Sequence, residues 1–190
     1  MDRDRSASSG FGARLREIPW SRRRSPRRKG RAMTMSILGE VRPEHDPGAG
    51  DDRVLLHYLR SYRQPVLEVW SACTAPAQLE RWLGKVSGGG GNFTIELLDG
   101  PIPGPVAVRV DHCAAPHELV IHIDGCILEL HLGRVGVLTN LELTRRHLCH
   151  ADAPAVGPRW QYLLDRLTAY LDYKPLPTWS DYPPLTEEYR

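Results

Sequence analysis

No stretch of this 190-residue chain approaches the roughly 18 consecutive apolar residues that a membrane-spanning helix needs. No apolar core segment follows the arginine pairs near the front, so an export signal is not read there. The four cysteines, Cys73, Cys113, Cys126 and Cys149, are scattered without C-x-x-C spacing. They read as reduced thiols of a cytoplasmic protein, several of them buried as small hydrophobes. The four glycines of 88–91 are followed by neither G-K-[ST] nor a helix pattern, which removes a phosphate-cradling loop. H-E-x-x-H, G-x-S-x-G and a nucleophile–base pair are all missing.

Charge of one sign is also missing from most of the chain. Residues 1–32 hold 11 Lys and Arg against 3 Asp and Glu, a balance of +8, while the rest holds 14 against 20, a balance of −6. The body therefore carries no basic stripe, and nucleic acid is not its expected partner. The front end, "SRRRSPRRKGRAMTMS", leaves two readings open. It is an arm that neutralises phosphate on a nucleic acid or membrane, or it is a disordered extension upstream of a true start at Met33 or Met35. Residues 1–50 are taken as this extension and a Pro/Gly-containing linker, residues 51–173 as the folded domain, and residues 174–190 as a tail.

What is present has a clear order. "DDRVLLHYLRSY" (51–62) has strand composition, with Leu56, Tyr58, Arg60 and Tyr62 on one face and Leu55, His57 and Leu59 on the other. Pro65 suits a first helical position. Val66, Val69 and Trp70 then share a helical face, Pro76 interrupts, and Leu79, Trp82 and Leu83 form a second short face ended by Gly84 as a C-cap. Residues 88–100 read as a flexible lead-in and a strand showing Phe93, Ile95 and Leu97 to one side. "VAVRV" (106–110), "HELVIHID" (117–124), "CILELHL" (126–132) and "VLTNLELTRRHL" (137–148) alternate at period two with short connections, which predicts an antiparallel meander. Finally Trp160, Leu163, Leu164, Leu167 and Leu171 form the stripe of one long amphipathic helix over 155–174. The expected class is α+β: a curved antiparallel sheet of about six strands, two short helices after the first strand, and one long C-terminal helix laid on the concave face.

"QPVLEVWSACTAPAQLERWLG", the meander, "LTNLELTRRH" and "GPRWQYLLDRLTAYL" together resemble the START-like, or SRPBCC helix-grip, superfamily. The P-x-x-x-V-W of Pro65–Trp70, "LERWLG" and the G-x-x-W of Gly157–Trp160 point to the branch named after the C-terminal domain of the activator of Hsp90 ATPase. The resemblance spans about residues 52–172. It implies that the two short helices plug one end of the sheet, that the last helix grips across it, and that an apolar cavity lies between them. It implies a fold more firmly than a function.

The candidate ligand site follows from these faces. Its apolar walls are assigned to Phe93, Ile95, Val108, Ile121, Leu130 and Leu141 on strands and to Leu163 and Leu167 on the long helix, with Trp82 and Trp160 beside them. Tyr58 and Arg60 are assigned a polar corner. Arg60 has three readings: it points into the cavity at an anionic group, it pairs with a carboxylate at the rim, or the register is reversed and it meets water. His147, Cys149 and His150 lie at one strand end without zinc-site spacing, so no metal is expected, and no cofactor either. Trp179 and Tyr182 of the proline-rich tail are expected to pack on the body. The leading expectation is a non-catalytic domain whose partner is an apolar or amphipathic small molecule. A polyketide cyclase or aromatase on the same fold is the alternative, and so is an interaction module acting on a chaperone ATPase.

Overall fold

The computed structural model describes residues 38–44, 52–100, 102, 104–123 and 125–190. These residues fall in one unit, Met35–Arg190. The basic front end, 1–32, lies outside the described residues, as does most of the segment read as a linker.

Eight strands form one antiparallel sheet in the order β1-β2-β8-β7-β6-β5-β4-β3. They are β1 (Glu40–Pro43), β2 (Arg53–Tyr62), β3 (Gly84–Gly89), β4 (Asn92–Leu97), β5 (Pro105–Ala114), β6 (Glu118–Ile123), β7 (Cys126–Val135) and β8 (Leu138–Cys149). Helices α1 (Val66–Thr74) and α2 (Pro76–Trp82) connect β2 to β3, and α3 (Ala153–Leu171) follows β8.

The expected sheet of about six strands is therefore too small, and the two short helices follow the second strand rather than the first. Both missed strands are the edges of the sheet. Edge strands are kept short and polar because a long apolar edge invites pairing with other chains. "EVRP" and "GKVSGG" obey that rule and so lose the alternation by which strands are recognised. The glycine run has a structural use. Gly90 and Gly91 hold φ of +65° and +85°, the geometry of a tight two-residue hairpin turn between β3 and β4. Gly84 is not a helix cap: Leu83 caps α2, and Gly84 opens β3, where a Cβ would strike the Glu96 carbonyl oxygen.

Burial follows the period-two pattern. On β2, Leu56, Tyr58, Arg60 and Tyr62 are all buried, and on β8 Leu141 and Leu143 are buried and β7 adds Leu128, Leu130 and Leu132. Helix α3 lies against this face, yet its buried residues also include Gln161, Tyr162 and Arg166. An amphipathic helix on a sheet normally leaves such residues wet. Here residues 174–190 run back over α3 and cover Gln161 and Tyr162, while Arg166 turns to the Trp82 carbonyl at the end of α2.

That strap is held by aromatic and polar contacts together. Tyr182 and Trp179 meet the Tyr162 ring edge-on at 5.0 and 5.5 Å. The Tyr182 hydroxyl donates to Asp165 at 3.0 Å, and Arg60 reaches the same carboxylate at 3.4 Å. Tyr189, fully buried, donates to Gln161 Oε1 at 3.1 Å and accepts the Gly39 amide at 3.2 Å. Its ring fills the place where a side chain on Gly157 would stand. Tyr58 donates to the Gly157 carbonyl at 2.8 Å. Burial raises the pKa of the Tyr58, Tyr182 and Tyr189 hydroxyls, so they stay neutral donors.

Replacing Tyr189 with alanine empties this space and is expected to cost about 3–5 kcal/mol, whereas Tyr189→Phe keeps the ring and loses two hydrogen bonds, costing about 1–2 kcal/mol. Urea unfolding of both variants checks the order. Midpoints equal to that of the parent chain would show that the strap contributes nothing to the fold.

Candidate functional site

Between α3 and the inner face of the sheet lies a cavity of about 380 Å³. Most of the wall comes from periods already visible in the chain. β4 turns Phe93, Ile95 and Leu97 inward, β6 turns Leu119, Ile121 and Ile123, and β7 turns Cys126, Leu128 and Leu130. From β8 come Leu141 and Leu143. Helix α3 supplies Trp160, Leu163, Leu164 and Leu167, and the α1–α2 elbow supplies Cys73, Thr74, Leu79 and Trp82. On β5, Val106 and Val110 face in, and a register shift between Val110 and His112 carries the odd-numbered Cys113 onto the same wall.

The helices hold this space open from their backs. Trp82 donates its indole N–H to the Ala72 carbonyl at 2.9 Å, which fixes the α1–α2 elbow. Arg166 donates to the Trp82 carbonyl at 2.6 Å and to the Tyr162 hydroxyl at 2.8 Å. Tyr162 in turn donates to Asp99 at 2.8 Å, and this bond, more than any other influence, holds the Asp99 carboxyl below its usual pKa.

Few polar groups reach the cavity. Arg145 and Arg159 line it, with Thr74 and the thiols of Cys73, Cys113 and Cys126. Arg145 donates Nε–H to Cys126 Sγ at 3.1 Å, and Cys126 donates to the Ile123 carbonyl at 2.9 Å. Arg145 Nη1 is buried and has no partner. No Asp, Glu or His stands among the described residues of the wall.

Of the residues assigned from the sequence, Trp82, Phe93, Ile95, Ile121, Leu130, Leu141, Trp160, Leu163 and Leu167 lie on this wall. Trp160 is partly buried and packs against the core beside the cavity. Val108 is buried on the inner face of β5 but is not part of the wall. Tyr58 and Arg60 are not there either. Both sit under α3 and the strap on the β2 side: Tyr58 is used by Gly157, and Arg60, only 5% exposed, by Asp165 and the Leu59 carbonyl. Arg60 thus follows its carboxylate reading, and the polar corner is not the one assigned. Arg145 and Arg159, which replace it, extend faces already drawn. Arg145 continues Leu141 and Leu143 at period two, and Arg159 precedes Leu163 by one helical turn. Among the described residues no group of His, Cys, Asp and Glu is placed to hold a metal ion. His147 of the "HLCH" segment faces Glu44 at 3.3 Å instead.

No protein-family model matches the sequence, and no curated protein matches it. Solved structures do. CalU16 from Micromonospora echinospora shares 26% identity with a TM-score of 0.61, over 80% of this chain and 91% of that one. DynU16, a protein of the dynemicin biosynthetic locus, shares 24% with a TM-score of 0.58; the match spans 66% of this chain but about half, 49%, of DynU16. Aha1 from Colwellia psychrerythraea, solved as a dimer, shares 15% with a TM-score of 0.55 over 62% of this chain and 96% of that one. The chain shares the helix-grip-like fold of these structures. Among the described residues no helix of this helix-grip chain is long and apolar enough to cross a membrane.

Burial pushes the Cys73 thiol up to about 12. A thiol raised this far is neutral at physiological pH and a poor nucleophile. Cys113 and Cys149 are exposed. Peptide mapping after brief iodoacetamide treatment at neutral pH is expected to find Cys113 and Cys149 alkylated and Cys73 intact. Equal labelling of Cys73 and Cys149 would contradict the raised pKa of Cys73.

Proposed function

We propose that the chain is a ligand-binding protein that takes an apolar small molecule into the cavity beneath α3. The observation that carries this reading is the cavity itself: about 380 Å³ with walls of Leu, Ile, Val, Phe and Trp and few polar groups. Small-molecule sites have that volume and make-up. An unfilled apolar space in a protein interior forfeits packing energy, because the atoms on its wall lack partners. A ligand restores those contacts.

Binding is favoured over catalysis. A cyclase or aromatase needs a group that moves protons at the reacting carbon, and among the described residues the wall offers arginine, threonine and thiols but no carboxylate or imidazole. The similarity to DynU16 keeps a biosynthetic setting as the second reading, in which this protein holds a product or intermediate of a pathway. The chaperone-modulator reading rests on the Aha1 fold alone, with no surface residue behind it.

Val110 lines the cavity from β5 and is only partly buried, so a larger side chain there enters the empty space. Titration with the neutral fluorophore N-phenyl-1-naphthylamine is expected to show binding to the parent chain. In Val110→Trp that binding should weaken by at least about tenfold, with the melting temperature held within a few degrees. Equal binding by a folded Val110→Trp would place the site elsewhere.

A further inference from the structure

Among the described residues the walls of the cavity carry two guanidinium groups and no carboxylate. Arg145 stands on β8 with Leu56 and Leu128 as its cross-strand neighbours, both buried and apolar. Its Nε is occupied by the Cys126 sulfur, while Nη1 is buried without any acceptor. No carboxylate among the described residues pairs with Arg145 or with Arg159. Arginines elsewhere in the interior are treated differently: Arg60 has Asp165, and Arg166 has the Trp82 carbonyl and the Tyr162 hydroxyl. Buried polar groups are partnered in nearly all native proteins, and the exceptions ask for a ligand, an ion or a water. Sequestered cationic donors are the costliest to leave unmet.

The topology brings the two arginines to one end. Arg145 lies four residues before the end of β8 at Cys149, and Arg159 six residues after the start of α3 at Ala153. At the usual rises these are about 13 Å and about 9 Å from the corner where strand passes into helix. The opposite end, where the Leu171 carbonyl accepts from Gln64 close to α1, has no such pair among the described residues of the wall.

We infer that the ligand is an apolar molecule with a single carboxylate, which docks on Arg145 Nη1 with Arg159 beside it at the β8–α3 end, its apolar body lying along Leu130, Ile121 and Leu163. This rests on the cavity-binding reading and adds the polarity and direction of the ligand. The guanidinium fork matches a carboxylate in plane and charge. The thiol of Cys126 orients the fork by occupying Nε, and Nη1 is left as the donor to the ligand.

Calorimetric titration of the full chain with two matched pairs tests it: decanoate against decanol, and 1-naphthylacetate against 2-(1-naphthyl)ethanol. A purely apolar cavity favours the alcohol, because the acid must leave its water behind. The parent chain is expected to bind each acid at least tenfold more tightly than its alcohol. Arg145→Met should weaken the acids at least tenfold and leave the alcohols within threefold. Arg159→Met should act in the same direction with a smaller effect, and it carries the test alone if Arg145→Met does not fold. Acid and alcohol bound equally by the parent chain, or weakened equally by either substitution, overturns the carboxylate assignment. If the alcohols bind and the acids do not, the assignment falls while the cavity reading stands. If neither member of either pair binds, both fall.

Discussion

The structure depends on how α3 is held. A helix free to settle on a curved apolar sheet would sink until its leucines filled the space beneath. Here its outer and β2-facing sides are fixed by directional bonds. Tyr58 donates to Gly157, Arg60 and Tyr182 share Asp165, and Tyr189 bridges Gln161 to Gly39. Arg166 ties the same helix to the α1–α2 elbow. Hydrogen bonds to buried groups tolerate little displacement, because a stretched one leaves a costly unpaired atom. The helix is therefore suspended from its polar side, and its apolar stripe of Trp160, Leu163 and Leu167 lines a cavity instead of closing it.

Two glycines show how tightly this suspension is built. Gly157 makes room for the Tyr189 ring, and Gly39 makes room for the Tyr58 ring. The tail and the first edge strand thus meet across α3, although they lie at opposite ends of the described chain, and the Tyr189–Gly39 bond joins them directly. The strap is part of the folded unit, and the interior it protects is polar on one side of the helix and apolar on the other.

Much of this was legible from side-chain periods. The inner faces of β4 to β8 and the apolar stripe of α3 follow alternation and helical spacing, because each repeats its apolar residues at the period of its element. The edge strands β1 and β3 do not, since their composition is shaped by the need to avoid pairing rather than by a core. Arg60 misled for a related reason. Alternation left open whether its face of β2 turns inward or meets water; it is buried, but which side of α3 that part of the face meets depends on the strap, and nothing local to β2 encodes the strap. Arg145 and Arg159 were passed over because the faces were followed only as far as they stayed apolar. Cys113 was reached by no pattern, since a bulge changes its side.

The arrangement makes one demand that can be met or refused. An apolar cavity in which Arg145 Nη1 is buried without an acceptor among the described residues should not travel empty in the cell that makes it. Native mass spectrometry of the protein purified from its own host measures this directly. A bound species of one discrete mass, released on denaturation and carrying a carboxylate in negative-ion mode, is the result the account predicts. A spectrum with only the bare chain mass, from material whose added decanoate is also not retained, would contradict it.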